Sequence, residues 1–300
     1  MVQFAWSVAQ DGYRWCEARP LDAGQLSATS TRMLTPGFTL AWHRYHPLED
    51  APALYRAFAE VEPTEEGIQA FANHYGMLGL WEAVVLDDKI AQGERLEVWQ
   101  EHILAMRHTL WVWEALLQRD QATLHRWFTM EDHGSFANVV YRPDTPFPMG
   151  VPHVVPQFVD DPQVEAAMLS TPRHGSGGLY IDEPPVPRDV AGLALAWLRA
   201  QINTRLAKGC YAYVGYVQER DAAIPLALQT MPRHVCGALW LQLALVVRGT
   251  ERDQQCRQCG NWFRVPAKAR RANTAYCSTR CRVKAARQRQ ACATPAPRGK

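Results

Sequence analysis

Four cysteines near the end of the chain have a spacing that is typical of a metal site. Cys256 and Cys259 form one close pair, and Cys277 and Cys281 form a second pair after seventeen intervening residues. Two such pairs can place four thiolates around one tetrahedral ion. Because four thiolates leave no open coordination position, the pattern predicts one structural zinc ion and not a catalytic one. The alternative is four unrelated reduced cysteines.

The residues around the two pairs suit such a site. Gly260, directly after Cys259, lets the chain turn tightly so that backbone amides can point at the sulfur atoms. Trp262 and Phe263 offer a small apolar core beside the metal. Ser278 can cap a helix whose N-terminal dipole would favour the anionic sulfurs. A segment this small is too short to fold alone, so we expect metal binding to stabilise it.

The formal charge of the chain, +2, hides a strong asymmetry. The segment 254–300 holds twelve Lys and Arg and no Asp or Glu, whereas the rest of the chain holds 20 basic and 30 acidic side chains. A contrast of this size indicates an anionic partner for the basic segment. We predict that this partner is nucleic acid, with duplex DNA favoured over RNA. The alternative is a solvated basic surface that has no partner.

The cations predicted to bind nucleic acid fall into two groups. They are Arg264, Lys268, Arg270 and Arg271 between the cysteine pairs, and Arg280, Arg282, Lys284, Arg287 and Arg289 around and after the last cysteine. On a helix of 3.6 residues per turn, Arg280, Lys284 and Arg287 share one face, and the other two helical cations lie opposite. Such a helix can contact phosphates on both sides, which supplies affinity without sequence information.

The rest of the chain is predicted to be a Trp-rich body. Eleven tryptophans and 47% hydrophobic residues indicate a packed core. We divide the chain into a mainly helical body at 1–250, a zinc finger with a basic helix at 251–290, and a disordered tail at 291–300. An irregular, proline- and glycine-rich connection interrupts the body at about 141–187. The predicted fold class is α+β, with a mostly helical body, a few short strands and a small C-terminal finger.

Individual elements of the body follow from residue periodicity. Apolar residues at spacings of three and four predict a long helix over 93–119. The opening segment predicts two strands joined by a hairpin turn at Asp11 and Gly12. Glu65 and Glu66 suit the start of a helix that Gly76 closes. Further predictions are helices over 187–206 and 234–248 and a strand at 211–218 that pairs with 223–229.

No part of the chain is predicted to lie in a membrane. Its most apolar stretch, Val235–Val247, has thirteen residues and contains Gln242, which falls short of the ~20 residues that span a bilayer. The N-terminus lacks the basic start and apolar run of a signal peptide. We therefore expect a cytoplasmic protein that associates with the nucleoid if it binds DNA. In that compartment clustered cysteines are more often metal ligands than disulfides.

The body offers no recognisable catalytic motif. Its ten histidines include two close pairs, His43 with His46 and His102 with His108, for which we expect structural roles and leave a second metal site as the alternative. The sequence has no phosphate-binding loop, no dinucleotide-binding glycine fingerprint and no nucleophile elbow. We therefore predict that the protein is not an enzyme. An enzyme with an unrecognised site in the body is the alternative.

The cysteine segment resembles a known family of zinc fingers. Cys256-x-x-Cys259-Gly-Asn-Trp-Phe, a basic stretch, and Tyr276-Cys277-Ser-x-x-Cys281-Arg before a basic helix are similar to bacterial treble-clef fingers. The closest similarity is to the CGNR-type finger, which follows a helical ABATE domain in proteins described as stress-induced transcription regulators. The segment Phe71–Gly79 resembles the body of such proteins more loosely.

This resemblance implies a treble-clef topology and a DNA-binding transcription regulator. The body would then sense a small effector or a partner, or act as a scaffold. Treble clefs also occur in nucleases, which need a histidine to activate water, and no histidine follows His234 in this chain. Binding is therefore favoured over cutting. A different class of function remains open: a protein-interaction module whose basic finger docks on an acidic partner or on its own acidic body.

Overall fold

The structure is a computed structural model of the 300-residue chain. It describes residues 4–22, 25–27, 29–36, 41–132, 136–145, 154–158, 189–216, 226–249, 251–260, 262–266 and 275–293.

Within these ranges the chain forms fourteen strands and eight helices. The strands are β1 (Trp6–Ala9), β2 (Arg14–Asp22), β3 (Gln25–Leu26), β4 (Thr31–Thr35), β5 (Trp42–Tyr45), β6 (Glu82–Leu86), β7 (Lys89–Arg95), β8 (Phe128–Asp132), β9 (Phe136–Tyr141), β10 (Val154–Phe158), β11 (Cys210–Tyr216), β12 (Leu226–Pro232), β13 (Glu251–Gln255) and β14 (Trp262–Pro266). The helices are α1 (Pro47–Asp50), α2 (Leu54–Ala59), α3 (Glu65–Tyr75), α4 (Leu96–Gln118), α5 (Gln121–Trp127), α6 (Val190–Gly209), α7 (Val235–Val247) and α8 (Thr279–Ala293). The fold is therefore mixed, with more strands than the few that the sequence predicted.

The strands form small antiparallel sheets. Three are two-stranded, β1–β5, β11–β12 and β13–β14, and one is three-stranded, β10–β9–β8. The fifth has the order β3–β2–β4–β7–β6, and β6 also pairs with β2. Because β2 pairs with β4 through Arg14–Ala18 and with β6 through Arg19 and Pro20, four strands close on themselves around Met33 and Val84.

The described chain divides into two compact units. One unit comprises residues 1–106 and 205–300, and the other comprises residues 107–204, so the boundaries fall inside α4 and α6. This division groups the cysteine segment with much of the body. The separate finger at 251–290 stays a prediction. Helix α8 continues to Ala293, three residues into the predicted tail, and residues 294–300 lie outside the described part.

Helix α7 forms the buried centre of the first unit. Its sequence is apolar almost throughout, and Trp240 and Leu243 are almost fully buried. Gln242 is fully buried as well, and its Nε2 donates to the carbonyl oxygens of Pro47 and Ala51 at 2.9 and 2.8 Å. Its Oε1 accepts from the amide of Tyr55 at 3.3 Å. These bonds tie α7 to α1 and α2 and explain the one amide within the apolar stretch.

The second unit has an aromatic core. Tyr141 and Trp197 lie with ring centroids 4.4 Å apart, and Phe128 lies 5.0 Å from Tyr141. The hydroxyl of Tyr141 is hydrogen-bonded to Nδ1 of His108 at 2.9 Å. This histidine is buried and satisfied, as the sequence analysis expected of the body histidines.

Most helix predictions are confirmed. Helix α3 begins after Thr64, whose side chain accepts from the amide of Gly67, and it ends at Gly76. The long helix over 93–119 is α4, and the helices over 187–206 and 234–248 are α6 and α7. The predicted pairing of 211–218 with 223–229 is the β11–β12 hairpin. The predicted irregular connection at 141–187 falls mostly outside the described residues.

The predicted hairpin at Asp11 and Gly12 is wrong. The two strands and the turn exist, and the amide of Gly12 donates to the carbonyl of Ala9, but β1 pairs with β5 and β2 pairs with β4. Helix α3 lies beside the turn. Oδ1 of Asn73 in this helix accepts a hydrogen bond from the amide of Tyr13 at 2.7 Å. A tertiary contact thus overrides the local hairpin signal.

The hairpin of β6 and β7 was not predicted. Asp87 and Asp88 form its two-residue turn with φ of 50° and 56°. Two consecutive residues with positive φ are the signature of a type I′ turn, which matches the twist of antiparallel strands. Asp tolerates this conformation better than most residues, so the Asp-Asp pair was the available signal.

Candidate metal centre

The first cysteine pair lies at the turn of the β13–β14 hairpin. Cys256 follows β13 directly, and the amide of Gly260 donates to the carbonyl of Cys256 at 2.9 Å. Gly260 has φ of 75°, and no atom lies within 4 Å of a β-carbon placed there, so the conformation and not space requires glycine. The predicted tight turn after Cys259 is confirmed.

The second pair lies at the N-terminus of α8. The hydroxyl of Ser278 accepts from the amide of Cys281 at 3.2 Å, which is the capping bond that the sequence predicted. Cys277 therefore precedes the helix, and Cys281 sits in its first turn. The amide of Arg257 donates to the carbonyl of Ala275 at 3.1 Å and joins the two halves of the site.

The four sulfur atoms converge. Their Sγ atoms all lie within 4.8 Å of one another. Sγ of Cys277 lies 3.6 Å from Sγ of Cys259 and 3.6 Å from Sγ of Cys281. A tetrahedral zinc ion with Zn–S bonds of about 2.3 Å requires sulfur–sulfur distances of about 3.8 Å. The cluster is therefore arranged to hold one metal ion, and zinc fits its four soft ligands and its spacing.

The electrostatics of the cluster favour thiolate at its buried end. Burial alone would raise the pKa of Cys256, but hydrogen bonds from the amides of Cys277, Cys259 and Gln258 outweigh it and lower that pKa to about 6. The pKa of Cys277 is raised to about 12, first by desolvation and then by the neighbouring thiols. One anion in the cluster thus opposes the ionisation of the next, and a divalent cation would remove that opposition.

The helical cations predicted to bind nucleic acid lie in solvent. Arg280, Arg282, Lys284, Arg287 and Arg289 are all exposed on α8. The predicted common face is confirmed, because Arg280, Lys284 and Arg287 line one concavity of about 370 Å³ together with Thr279 and Val283.

The cations predicted between the cysteine pairs lie mostly outside the described residues. Arg264 belongs to β14. Lys268, Arg270 and Arg271 lie outside the described residues. Among the described cations of the two groups, the structure thus brings those of the helical group together.

An ion pair that the sequence analysis missed joins the cysteine segment to the body. Nε of Arg56 in α2 lies 2.9 Å from Oδ2 of Asp253 in β13, and the Asp253 side chain is only 1% exposed. The guanidinium carbon of Arg56 also lies 4.6 Å from the ring centroid of Trp262 in β14. Because the partners are 197 positions apart, no local pattern could have indicated the pair.

We predict that Arg56→Leu lowers the free energy of unfolding by about 3 kcal/mol, because it removes the cation beside a buried carboxylate. The measurement is urea denaturation together with the rate of metal release to a chelator, which should increase. Arg32→Leu is the matched control, since Arg32 pairs with Glu65 at 2.7 Å but the two side chains are 39% and 33% exposed. That change should reduce stability much less than Arg56→Leu and leave metal release unaltered. Equal effects of the two variants would contradict the role assigned to Arg56.

The histidine pairs do not form a second cluster of this kind. Among the described residues, the four cysteines are the only group of three or more His, Cys, Asp or Glu that could hold a metal ion. Nδ1 of His102 lies 3.3 Å from Sγ of Cys236. Burial raises the pKa of Cys236 to about 12 and lowers the pKa of His102 to about 3, so both side chains are neutral near pH 7. This neutral pair, with Cys236 buried and His102 half-buried, supports a structural role.

Two further findings bear on the nature of the chain. Among the described helices, none combines the length and the apolar character needed to cross a bilayer. Comparison of the chain with known protein families, with curated proteins and with solved structures finds no match to any of them. The structure supports the metal-binding cluster, while the likeness to CGNR-type fingers and ABATE domains rests on the sequence alone.

Proposed function

We propose that this chain is a zinc-containing protein that binds nucleic acid through α8. The observation that carries the proposal is the position of the cysteine cluster, which fixes the first turn of a helix whose five cations are exposed. No acidic residue occurs anywhere in 254–300 to neutralise them. A polyanion with regularly spaced phosphates is the partner that such a surface suits best.

The shape of α8 favours duplex DNA over duplex RNA. The major groove of B-DNA is about 12 Å wide and admits an α-helix, whereas the deep, narrow major groove of A-form RNA does not. Arg280, Lys284 and Arg287 would contact phosphates on one side of the helix, and Arg282 and Arg289 on the other. Ala285 is buried, so α8 is held against its own unit along one side.

The resemblance to CGNR-type fingers extends this proposal. A hairpin turn that supplies two cysteines and a helix N-terminus that supplies two more agree with the ligand arrangement of a treble clef. On this basis we assign the chain to bacterial DNA-binding transcription regulators, with a body that senses an effector or serves as a scaffold. The absence of a predicted catalytic motif supports binding as the function.

The experiment measures duplex binding by the full chain as a function of salt. We predict that Arg280→Gln/Lys284→Gln/Arg287→Gln weakens binding to a random 20-base-pair duplex at least about tenfold near 0.1 M salt. The slope of log K against log salt should fall in magnitude by about three, because each lost phosphate contact contributes about one. Fluorescence anisotropy of a labelled duplex provides both values.

The matched control removes three charges from the body. Arg14→Gln/Arg19→Gln/Lys89→Gln changes exposed residues of β2 and β7 and should leave the slope unaltered. Equal losses in the two triple variants would mean that net charge alone drives binding. Tighter binding of the full chain to poly-glutamate than to duplex would favour the protein-interaction alternative, since the same cations accept an acidic chain.

A further inference from the structure

An aromatic cleft lies beside β1 and β5 in the first unit, and the function proposed above makes no use of it. The cavity has a volume of about 490 Å³. Its walls include Trp6, Tyr13, Trp42 and Trp81, together with the polar side chains Ser7 and Arg44. A volume of roughly 300–1,000 Å³ with aromatic walls and few polar groups is typical of small-molecule sites.

Two of the tryptophans leave much of their ring in water. Trp42 is 45% exposed and Trp81 is 49% exposed, whereas Trp99, Trp197 and Trp240 are almost completely buried. Trp42 comes from β5, and Trp81 immediately precedes β6, so two separate elements bring these rings to one cavity. Exposed apolar rings that converge on a cavity indicate a surface that a ligand covers.

The third tryptophan forms a rigid wall. Trp6 lies so close to Gly76 and Gly79 that a β-carbon on either glycine would approach its ring to 2.8 Å. Both glycines have positive φ, 87° and 85°, so the backbone conformation also favours glycine there. The two glycines of the segment 71–79 therefore leave the space that the Trp6 indole fills, and this part of the cavity wall is packed in place.

One end of the cleft is cationic. In the β1–β5 ladder Arg44 lies directly opposite Ser7, so the two side chains share a face of the sheet. Trp42, two residues before Arg44 on the same strand, shares that face too. Arg44 is exposed, and no Asp or Glu is among the described residues that line the cavity. Arg44 and Ser7 thus line the cavity on the face of the sheet that carries Trp42.

These features select one class of ligand. Aromatic walls accept either a cation held over ring faces or a flat ring stacked between them. Arg44 repels a cation, whereas its planar fork pairs with carboxylate or phosphate. We propose that the aromatic cleft binds a small molecule that combines a planar aromatic ring with an anionic group. The ring stacks on Trp42 and Trp81, and the anion pairs with Arg44. This binding is independent of the nucleic-acid proposal.

The test is isothermal titration calorimetry on the full, metal-loaded chain. The two ring anions are adenosine 5′-monophosphate and indole-3-acetate. Three comparison probes are adenosine, which has a ring and no anionic group, inorganic phosphate, which has no ring, and phenyltrimethylammonium, which has a ring and a positive charge. We expect at least one ring anion to bind about tenfold or more tightly than each of the three other probes. The ring anion that binds more tightly identifies a nucleotide or an aromatic carboxylate as the source of this chemistry.

Four variants locate the binding. Arg44→Gln should abolish the preference of the cleft for the ring anion over adenosine. Arg14→Gln, a matched change on β2, should preserve that preference. Trp81→Leu should weaken every ring ligand about tenfold or more, because stacking on the indole is lost. The α8 triple variant should keep the ring-anion affinity, which separates this cleft from the basic helix.

Several outcomes would overturn the proposal. They are the absence of ring-anion binding at millimolar concentration, an unchanged preference in Arg44→Gln, and tighter binding of phenyltrimethylammonium than of either anion. Loss of ring-anion affinity in the α8 triple variant would also refute it, since the anion would then be bound by the helix. Because Arg44 is exposed, its variant is expected to fold, and near-UV circular dichroism verifies this.

Discussion

Replacing Cys256 with serine should reduce the metal content from one ion per chain to nearly none and unfold the described residues of the cysteine segment, 251–260, 262–266 and 275–293. The described part of this segment buries little besides the cysteine itself, namely Val265 and Ala285, so it has almost no apolar core of its own. In zinc-finger peptides metal binding supplies about 10–16 kcal/mol, which is also the free energy of folding. Metal analysis and limited proteolysis measure the two effects.

The serine variant has a close control in the body. Cys16→Ser changes a half-buried thiol whose Sγ lies 3.7 Å from the carbonyl oxygen of Met33, far outside the cluster. It should keep one metal ion per chain and the wild-type proteolysis pattern. A Cys256→Ser chain that still holds one ion, or a wild-type chain that binds no zinc when zinc is supplied, would refute the metal centre. Duplex binding measured on the same samples shows whether α8 needs the metal to act.

The metal cluster could be predicted from sequence because its information is local. Each signal in this segment depends on only a few neighbouring residues: the two short cysteine spacings, Gly260 and Ser278. The structure contains the cluster, the turn and the helix cap that these signals predict. Helices α3 and α7 were predictable for the same reason, since a cap or an apolar run defines each of them. Local signals succeed where no distant contact competes with them.

The aromatic cleft and the Arg56–Asp253 pair could not be predicted in this way. Nothing in the sequence distinguishes Trp42 and Trp81 from core residues. They are half exposed around one cavity because β5 and the residue before β6 come together in the folded chain. The Asp11–Gly12 turn is a second case in which a distant contact decides the structure. The turn itself forms, but the contact with Asn73 accompanies a next strand that pairs in a different sheet, so the hairpin prediction fails.

Glu94 of β7 is a further residue whose role depends on tertiary structure, and it should make stability depend on pH. Its side chain is fully buried and accepts from the amides of Leu78, Gly79 and Leu80 at 3.0, 2.7 and 2.7 Å. Burial raises the pKa of Glu94 to about 7, while the three amides act in the opposite direction. The carboxyl group thus fixes the loop of Leu78, Gly79 and Leu80, and Gly79 of this loop packs against Trp6.

The sign of the pH dependence follows from this raised pKa. Below about pH 4.5 the group is protonated in both states, and its contribution to stability is fully present. Between about pH 4.5 and 7 the unfolded chain releases the proton and the folded chain retains it, so stability falls as pH rises. The difference of about 2.5 pKa units corresponds to about 3 kcal/mol. Above pH 7 this contribution no longer changes.

Glu94→Gln isolates the effect, because glutamine has no proton to release. We predict that the unfolding free energy of the wild type minus that of Glu94→Gln decreases by about 3 kcal/mol between pH 4.5 and pH 7.5. Urea denaturation followed by tryptophan fluorescence measures it. Taking the difference removes the pH dependence that both proteins share, including that of the cysteine cluster.

Glu82→Gln provides the comparison at a partly exposed site. Glu82 precedes Glu94 in the same hairpin and pairs with Arg95 at 2.7 Å, with 37% of its side chain exposed. The wild-type minus Glu82→Gln difference should stay within about 1 kcal/mol across the same range. A flat difference for Glu94→Gln as well would show that the three amides fully offset burial and leave the pKa of Glu94 unshifted. A difference that increased with pH would mean that those amides outweigh burial and that Glu94 stabilises the loop as an anion.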